Sequence, residues 1–122
     1  MMIFFYKWLP IIFGCHCRPD RSFFYKGKQF PICARCTGEL IGIIIAILVY
    51  FFYQTPLFTC ILLMIPMICD GFIQLLTSYE SHNITRCITG FLFGFALTTL
   101  FIISTLVIFQ AGIELGQTLK NK

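Results

Sequence analysis

Residues 87–113 read CITGFLFGFALTTLFIISTLVIFQAGI and contain no charged side chain. Residues 40–69, earlier in the chain, are also free of charge. About 20 consecutive apolar residues are enough for a helix to cross the hydrocarbon core of a bilayer. Inside lipid the backbone must satisfy its own hydrogen bonds, and the strands of membrane barrels alternate apolar and polar residues, unlike these runs. Both stretches therefore predict membrane-spanning helices.

The composition also indicates a membrane protein. Of the 122 residues, 58% are hydrophobic and 11% are charged, whereas soluble domains are about 25% charged. The net charge of +4 comes mainly from one membrane-proximal loop, as expected for basic residues held on the cytoplasmic side. We therefore expect membrane lipids as partners and no role in nucleic-acid binding.

Three transmembrane helices are predicted, over residues 37–53, 57–76 and 86–109. The turn at 54–56 is so short that the first two helices must form an antiparallel pair. The polar residues 77–85 then return the chain for the third helix.

The N-terminal residues 1–14 predict a further, short apolar helix about 20 Å long. It either spans the membrane with tilt or local thinning, or lies at the membrane surface. The predicted fold class is all-α, a polytopic integral membrane helical bundle. Residues 1–122 form a single membrane domain, in which a cysteine-rich loop at 15–36 precedes the transmembrane helices at 37–109 and a tail at 110–122.

The cysteine-rich loop also predicts the orientation of the chain. Against one acidic residue, Asp20, it holds five basic residues, whereas the turn at 54–56 holds no charge. The basic residues are Arg18, Arg21, Lys26, Lys28 and Arg35. By the positive-inside rule we expect a multi-pass protein of the cell membrane with this loop in the cytoplasm.

Four cysteines and a histidine crowd this loop. The pair at 33–36 is a C-x-x-C sequence at the entry of a predicted helix, where the helix dipole stabilises thiolates. Together with the C-x-C sequence at 15–17, its spacing is close to that of four-thiolate zinc sites. The predicted metal ligands are Cys15, His16, Cys17, Cys33 and Cys36.

Alternatives to this zinc site remain open. Adjacent residues seldom point the same way, so residues 15–17 are not all expected to bind one ion. The thiols could instead line the interface without metal, as small apolar residues, or Cys33 and Cys36 could exchange electrons. Cys60, Cys69 and Cys87 are interpreted as packing residues.

A second polar group is predicted within the membrane. Asp70 and Gln74 lie one helical turn apart near the cytoplasmic end of the second predicted span. A carboxylate at this depth usually faces the bundle interior and has a partner. Arg86 is the predicted partner, with Ser81 and Asn83 completing the hydrogen bonds.

Two roles fit this group. In the first, Asp70 and Arg86 are hypothetical catalytic residues in a pocket that Gln74, Ser81 and Asn83 line. In the second, they are a structural ion pair that fixes the register of the helices. Glycines at 38, 42, 90 and 94 follow the small-xxx-small spacing of close helix packing, either within the chain or between copies in a homo-oligomer.

These motifs together resemble the DUF2085 family of small predicted bacterial and archaeal membrane proteins. In the loop the resemblance rests on Cys15-His16, Pro19-Asp20-Arg21-Ser22-Phe23, Gly27, Pro31, Cys33, Arg35, Cys36 and Gly38. Beyond the loop it rests on Asp70-Gly71, Gln74, Ser81, Asn83, Arg86 and Thr89-Gly90. Cys17 is not part of the pattern, so the resemblance implies a shared ligand set of Cys15, His16, Cys33 and Cys36.

Three functions follow as hypotheses. The first is a zinc-thiolate site at the cytoplasmic face that caps an intramembrane polar pocket and acts on lipid or another small amphiphile. The second is a membrane thiol-disulfide oxidoreductase that uses Cys33 and Cys36. The third is an oligomeric transporter or accessory membrane protein.

Overall fold

The fold combines α-helices with one β-hairpin. The computed structural model describes residues 1–16, 18–80 and 82–122. Cys17, a predicted ligand, and Ser81, a predicted pocket residue, lie outside the described residues. The elements are α1 (Met2–Ile12), β1 (Ser22–Tyr25), β2 (Lys28–Cys33), α2 (Ala34–Tyr50), α3 (Leu57–Leu76) and α4 (Asn83–Lys120), with a short 3₁₀ turn at Pro19–Arg21 before β1.

Two of these helices, α3 and α4, are long and apolar enough to cross a membrane. The bounds of α3 are those predicted from the sequence, and α4 begins three residues before its predicted span and runs on to Lys120. The third predicted crossing corresponds to α2, which has 17 residues and is thus about 25 Å long. Since the hydrocarbon core is about 30 Å thick, the crossing by α2 stays a prediction.

The hairpin in the cysteine-rich loop corrects the all-α prediction. Its strands pair antiparallel, with Ser22 opposite Cys33 and Tyr25 opposite Lys28. Lys26 and Gly27 form the two-residue turn, with φ angles of 50° and 76°, and two positive φ values are what the tightest hairpin turns require. The pairing fixes Cys33 at the end of β2, directly before α2.

Helices α2 and α4 pack closely through glycine. A Cβ atom placed on Gly38 would collide with a backbone carbonyl of α4, and one placed on Gly90 or Gly94 would collide with a carbonyl of α2. Gly90 contacts Arg35, and Gly94, one turn later in α4, contacts Glu39, one turn later in α2. The two helices therefore run parallel. Gly42 makes the same kind of approach. The glycine faces proposed for oligomerisation thus pack against each other within one chain. A homo-oligomer stays a prediction.

The buried core is small and, apart from Ile32 of the hairpin, its apolar side chains are small. Ala34, Ala46, Cys60, Ala96 and Thr99 are almost fully buried, whereas the large apolar side chains are mostly exposed. This is the pattern of helices that pack through small residues and present large ones to lipid.

The N-terminal helix α1 packs against the hairpin. The Tyr6 hydroxyl donates a hydrogen bond of 2.8 Å to the Gln29 carbonyl of β2, and no residue of α1 is buried. The two positions predicted for this helix, across the membrane or at its surface, both stay predictions.

Candidate metal centre

Three thiols from two separated parts of the chain meet at the start of α2. Cys33 ends β2 and Cys36 lies in the first turn of α2, with their Sγ atoms 3.3 Å apart. Cys15 reaches them from the segment after α1, where its Sγ accepts a hydrogen bond of 3.2 Å from the Cys33 backbone N–H. All three sulfurs lie within 4.8 Å of one another.

This spacing suits a thiolate-bound metal ion. In a tetrahedral site with Zn–S distances of about 2.3 Å, two sulfurs stand about 3.8 Å apart. The three sulfurs therefore need only small shifts to share one ion. The three cysteines could hold a metal ion, as the sequence predicted for them.

The hydrogen bond between Cys33 and Cys36 sets their ionisation in the metal-free protein. The Cys36 thiol lowers the pKa of Cys33 to about 5, with help from backbone N–H groups and against the effect of burial. The same bond raises the pKa of Cys36, and burial adds to the rise. Cys33 is therefore a thiolate at neutral pH and Cys36 a thiol that donates to it. Both residues precede the predicted span at 37–53.

The thiols open into a cavity of about 220 Å³. Its other lining residues are Gly14, His16, Arg18, Arg21 and Arg35. His16 is exposed and is outside the group of three sulfurs that lie within ligand distance of one another. The structure thus brings three of the five predicted ligands together, places His16 on the same cavity, and leaves Cys17 outside the described residues.

Asp70 is the centre of a second cluster, and its ion pair corrects the prediction. Asp70 is only 8% exposed. Its Oδ2 accepts hydrogen bonds from Gln74 Nε2 at 2.7 Å and from Arg35 Nη2 at 2.9 Å. Among the described residues, the cation in an ion pair with Asp70 is therefore Arg35 and not the predicted Arg86, because the start of α2 lies beside α3 at this depth.

Arg35 joins the two clusters into one site. It lies between Cys33 and Cys36 in the sequence, lines the cavity of the thiols, and binds Asp70 on α3. In the sequence, Arg35 stands out only as one of the basic residues of the loop, so its ion pair with Asp70 was not predicted. Its position inside the C-x-x-C sequence at a helix start was the available signal.

The remaining predicted pocket residues belong to the start of α4. Asn83 Nδ2 donates a weak hydrogen bond of 3.4 Å to the Ser22 carbonyl of β1. Arg86 is 5% exposed, and its Nη2 is buried without a hydrogen bond. Asn83 therefore contacts the hairpin, while Gln74 is the predicted lining residue in the described ranges that binds Asp70.

The sequence profile of DUF2085, described as a predicted membrane protein, matches residues 15–100. This chain belongs to the DUF2085 family. The matched range of this DUF2085 protein includes the three clustered cysteines, the hairpin, Asp70 and Arg86.

Two archaeal proteins are similar to this DUF2085 chain. An uncharacterized protein of Methanothermobacter thermautotrophicus is 37% identical over 91 residues, which are 70% of this chain and 82% of the relative. An uncharacterized protein of Methanocaldococcus jannaschii is 40% identical over 90 residues, which are 68% of this chain and 58% of the relative. No solved structure matches the chain significantly.

Proposed function

We propose that this protein carries a zinc-thiolate centre at the cytoplasmic face of the membrane, which caps the polar cluster around Asp70 and acts on a lipid or another small amphiphile. The close approach of the Cys15, Cys33 and Cys36 sulfurs carries the proposal. A fourth ligand would come from His16 or Cys17.

The donor set and its surroundings favour zinc. Thiolates are the ligands of structural and catalytic zinc sites and do not suit hard ions such as Mg²⁺ or Ca²⁺. Three thiolates around a divalent ion leave one negative charge, and Arg18, Arg21 and Arg35 line the same cavity. The loop therefore supplies both the ligands and the charges that offset them.

When bound, zinc either braces the loop through four protein ligands or, with an open position, polarises a substrate oxygen or a water molecule. The residues of the chain have roles in both cases. Gln74 and Arg35 hold the Asp70 carboxylate in one orientation, as a general base would require. Arg86 is proposed to bind an anionic group.

Elemental analysis of the detergent-purified protein tests this proposal. We expect about one zinc per chain, and loss of it in Cys33→Ser and Cys36→Ser. Cys69→Ser is the matched control, because Cys69 is an exposed cysteine of α3 outside the cluster. Unchanged metal content in the Cys33 and Cys36 variants would eliminate the proposal.

A second candidate, a thiol-disulfide oxidoreductase, is favoured by the low pKa of Cys33. The Cys33 thiolate would attack a disulfide of a substrate, and the Cys36 thiol, after losing its proton, would displace the second sulfur. The substrate would leave as a dithiol and the chain would keep a Cys33–Cys36 disulfide.

Thiol trapping separates the two candidates. A zinc centre predicts that the clustered cysteines react with a maleimide only after chelation. An oxidoreductase predicts that they react without chelation, and that Cys33 and Cys36 convert reversibly to a disulfide in a glutathione redox buffer.

A further inference from the structure

Unpartnered arginine nitrogens distinguish one end of the molecule. Among the described residues, the buried side-chain nitrogens and oxygens that lack a hydrogen bond are Arg21 Nε, Arg35 Nε and Arg86 Nη2. All three belong to guanidinium groups. Burying a charged donor without an acceptor is costly, so each of these nitrogens would be stabilised by an added acceptor.

Two of the three arginines line the cavity of the thiols, and helix packing places the third on a neighbouring segment. The two that line the cavity are Arg21 and Arg35. On α4, Arg86 lies between Asn83, which donates to the carbonyl of Ser22, and Gly90, which packs against the carbonyl of Arg35. Arg86 is therefore held on the turn of α4 that faces the backbone segments carrying the other two arginines.

The carboxylates that bind Arg21 and Arg35 do so through other nitrogens and leave Nε of each without a hydrogen bond. Arg35 uses Nη2 to bind Asp70, and Arg21 uses Nη2 to bind Glu80 at 3.3 Å. Asp20 stands 3.9 Å from Arg21 Nε, which is too far for a hydrogen bond. Arg86 takes part in none of the described ion pairs, although it is 5% exposed. Arg86 therefore carries a buried positive charge that needs a counter-charge.

We propose that Arg21, Arg35 and Arg86 form a binding site for a phosphate group beside the cysteine cavity. The planar guanidinium fork matches phosphate oxygens, and a tetrahedral oxyanion offers enough acceptors for three arginines at once. The cavity of about 220 Å³ is large beside the roughly 30 Å³ of one water molecule. At a membrane surface, the phosphate belongs either to a lipid headgroup or to a free phosphate compound.

The inference deepens the proposed function, because it names the chemical class of the substrate, but the arginine site itself requires no metal. The protein in phosphatidylcholine nanodiscs would be tested with two probes, before and after chelation of metal ions. Equilibrium dialysis measures inorganic phosphate, and native mass spectrometry measures phosphatidic acid. Saturable binding of phosphate assigns a free ligand, and binding of phosphatidic acid alone assigns a headgroup.

Substitutions test the three arginines. We expect Arg86→Gln and Arg21→Gln to weaken binding by about tenfold to a hundredfold, and Arg86→Lys to restore part of it. Lys28→Gln is the matched control, because it removes the same charge from an exposed hairpin residue outside the cavity. If Arg86→Gln fails to fold, Arg21→Gln still tests the site, because Arg21 lies in the turn before β1 and is less buried.

Three outcomes would overturn the phosphate site. They are the absence of saturable binding of either probe, an equal loss in Lys28→Gln, and loss of binding on chelation, which would place the anion on the metal. Binding that survives chelation supports the site. If the purified protein binds phosphate but contains no zinc, the phosphate site is supported and the zinc centre is rejected.

Discussion

Arg35 is the residue on which the two polar clusters depend. Its guanidinium binds Asp70 within the helix bundle, and its backbone lies between the two cysteines that approach to 3.3 Å. A buried carboxylate that loses its cation is strongly destabilised. A substitution of Arg35 is therefore expected to disturb both the Asp70 cluster and the cysteine cluster.

Arg35→Ala should lower the free energy of unfolding by about 2–4 kcal/mol, because it leaves the buried Asp70 carboxylate without its cation. Thermal unfolding in detergent measures the effect. Arg18→Ala removes an exposed ion pair with Asp20 and should cost about 1 kcal/mol or less. In an Asp70→Asn background, Arg35→Ala should lower the free energy of unfolding by less. If the losses of the two single variants simply add in the double variant, the Arg35–Asp70 pairing is contradicted.

Without a bound metal ion, Cys33 should be the most reactive thiol of the cluster. With a pKa of about 5 it is ionised at pH 7, whereas Cys36, with a raised pKa, is protonated. A thiolate of low pKa is a weaker nucleophile, and with allowance for this we expect iodoacetamide to label Cys33 about tenfold faster than Cys36. Peptide mass spectrometry gives the two rates, and the Cys33 rate should fall only as the pH approaches 5. Equal labelling would contradict the lowered pKa of Cys33.

At the scale of elements, the pairing of α2 with α4 holds the site together. Glycine at four positions lets the two backbones touch, which places Arg35 and Arg86 on neighbouring segments. The hairpin adds to this arrangement because the pairing of Ser22 with Cys33 and the bond from Asn83 to Ser22 join strand and helix.

Alanine at Gly94 should force α2 and α4 apart, because its Cβ would meet the Glu39 carbonyl. Overpacking of this kind costs about 1–3 kcal/mol. Gly112→Ala is a control in the same helix, where a Cβ meets nothing within 4 Å, and it should leave stability unchanged or slightly raised. Thermal unfolding compares the two, and equal melting temperatures would argue against the close contact.

For the molecule as a whole, the parallel course of α2 and α4 sets the expected topology. If α2, α3 and α4 all cross the membrane, the hairpin and the loop before α4 share one side. The ion pair between Arg21 and Glu80 joins these two segments. The basic hairpin favours the cytoplasm for that side.

Membrane-impermeant maleimide labelling of single cysteines tests this topology in intact cells. A cysteine at Lys122 should react from outside, and one at Lys26 only after the membrane is opened. The reverse pattern would invert the orientation, and reaction of both from one side would mean that one of the three helices does not cross.

Part of this architecture was predictable from local sequence and part was not. The bounds of α3 follow from an apolar run that Pro56 precedes and polar residues end, and the spacing of the cysteines indicated their cluster. The hairpin was missed because Ser22–Tyr25 is short and its turn is Lys-Gly, not the Asn-Gly typical of such turns. The partner of Asp70 was missed because it depends on which helix faces meet, and no local pattern records that.

The order of the site residues along the chain has a consequence for biosynthesis. Translation produces Cys15, the hairpin and Cys36 before Asp70 and Arg86, and chains fold as they emerge from the ribosome. The sulfur atoms can therefore meet while α3 and α4 are still unmade. The guanidinium of Arg35 can bind the Asp70 carboxylate only after α3 has been synthesised. The nascent chain therefore passes through a stage in which the thiols are assembled and the Asp70 ion pair is not yet formed.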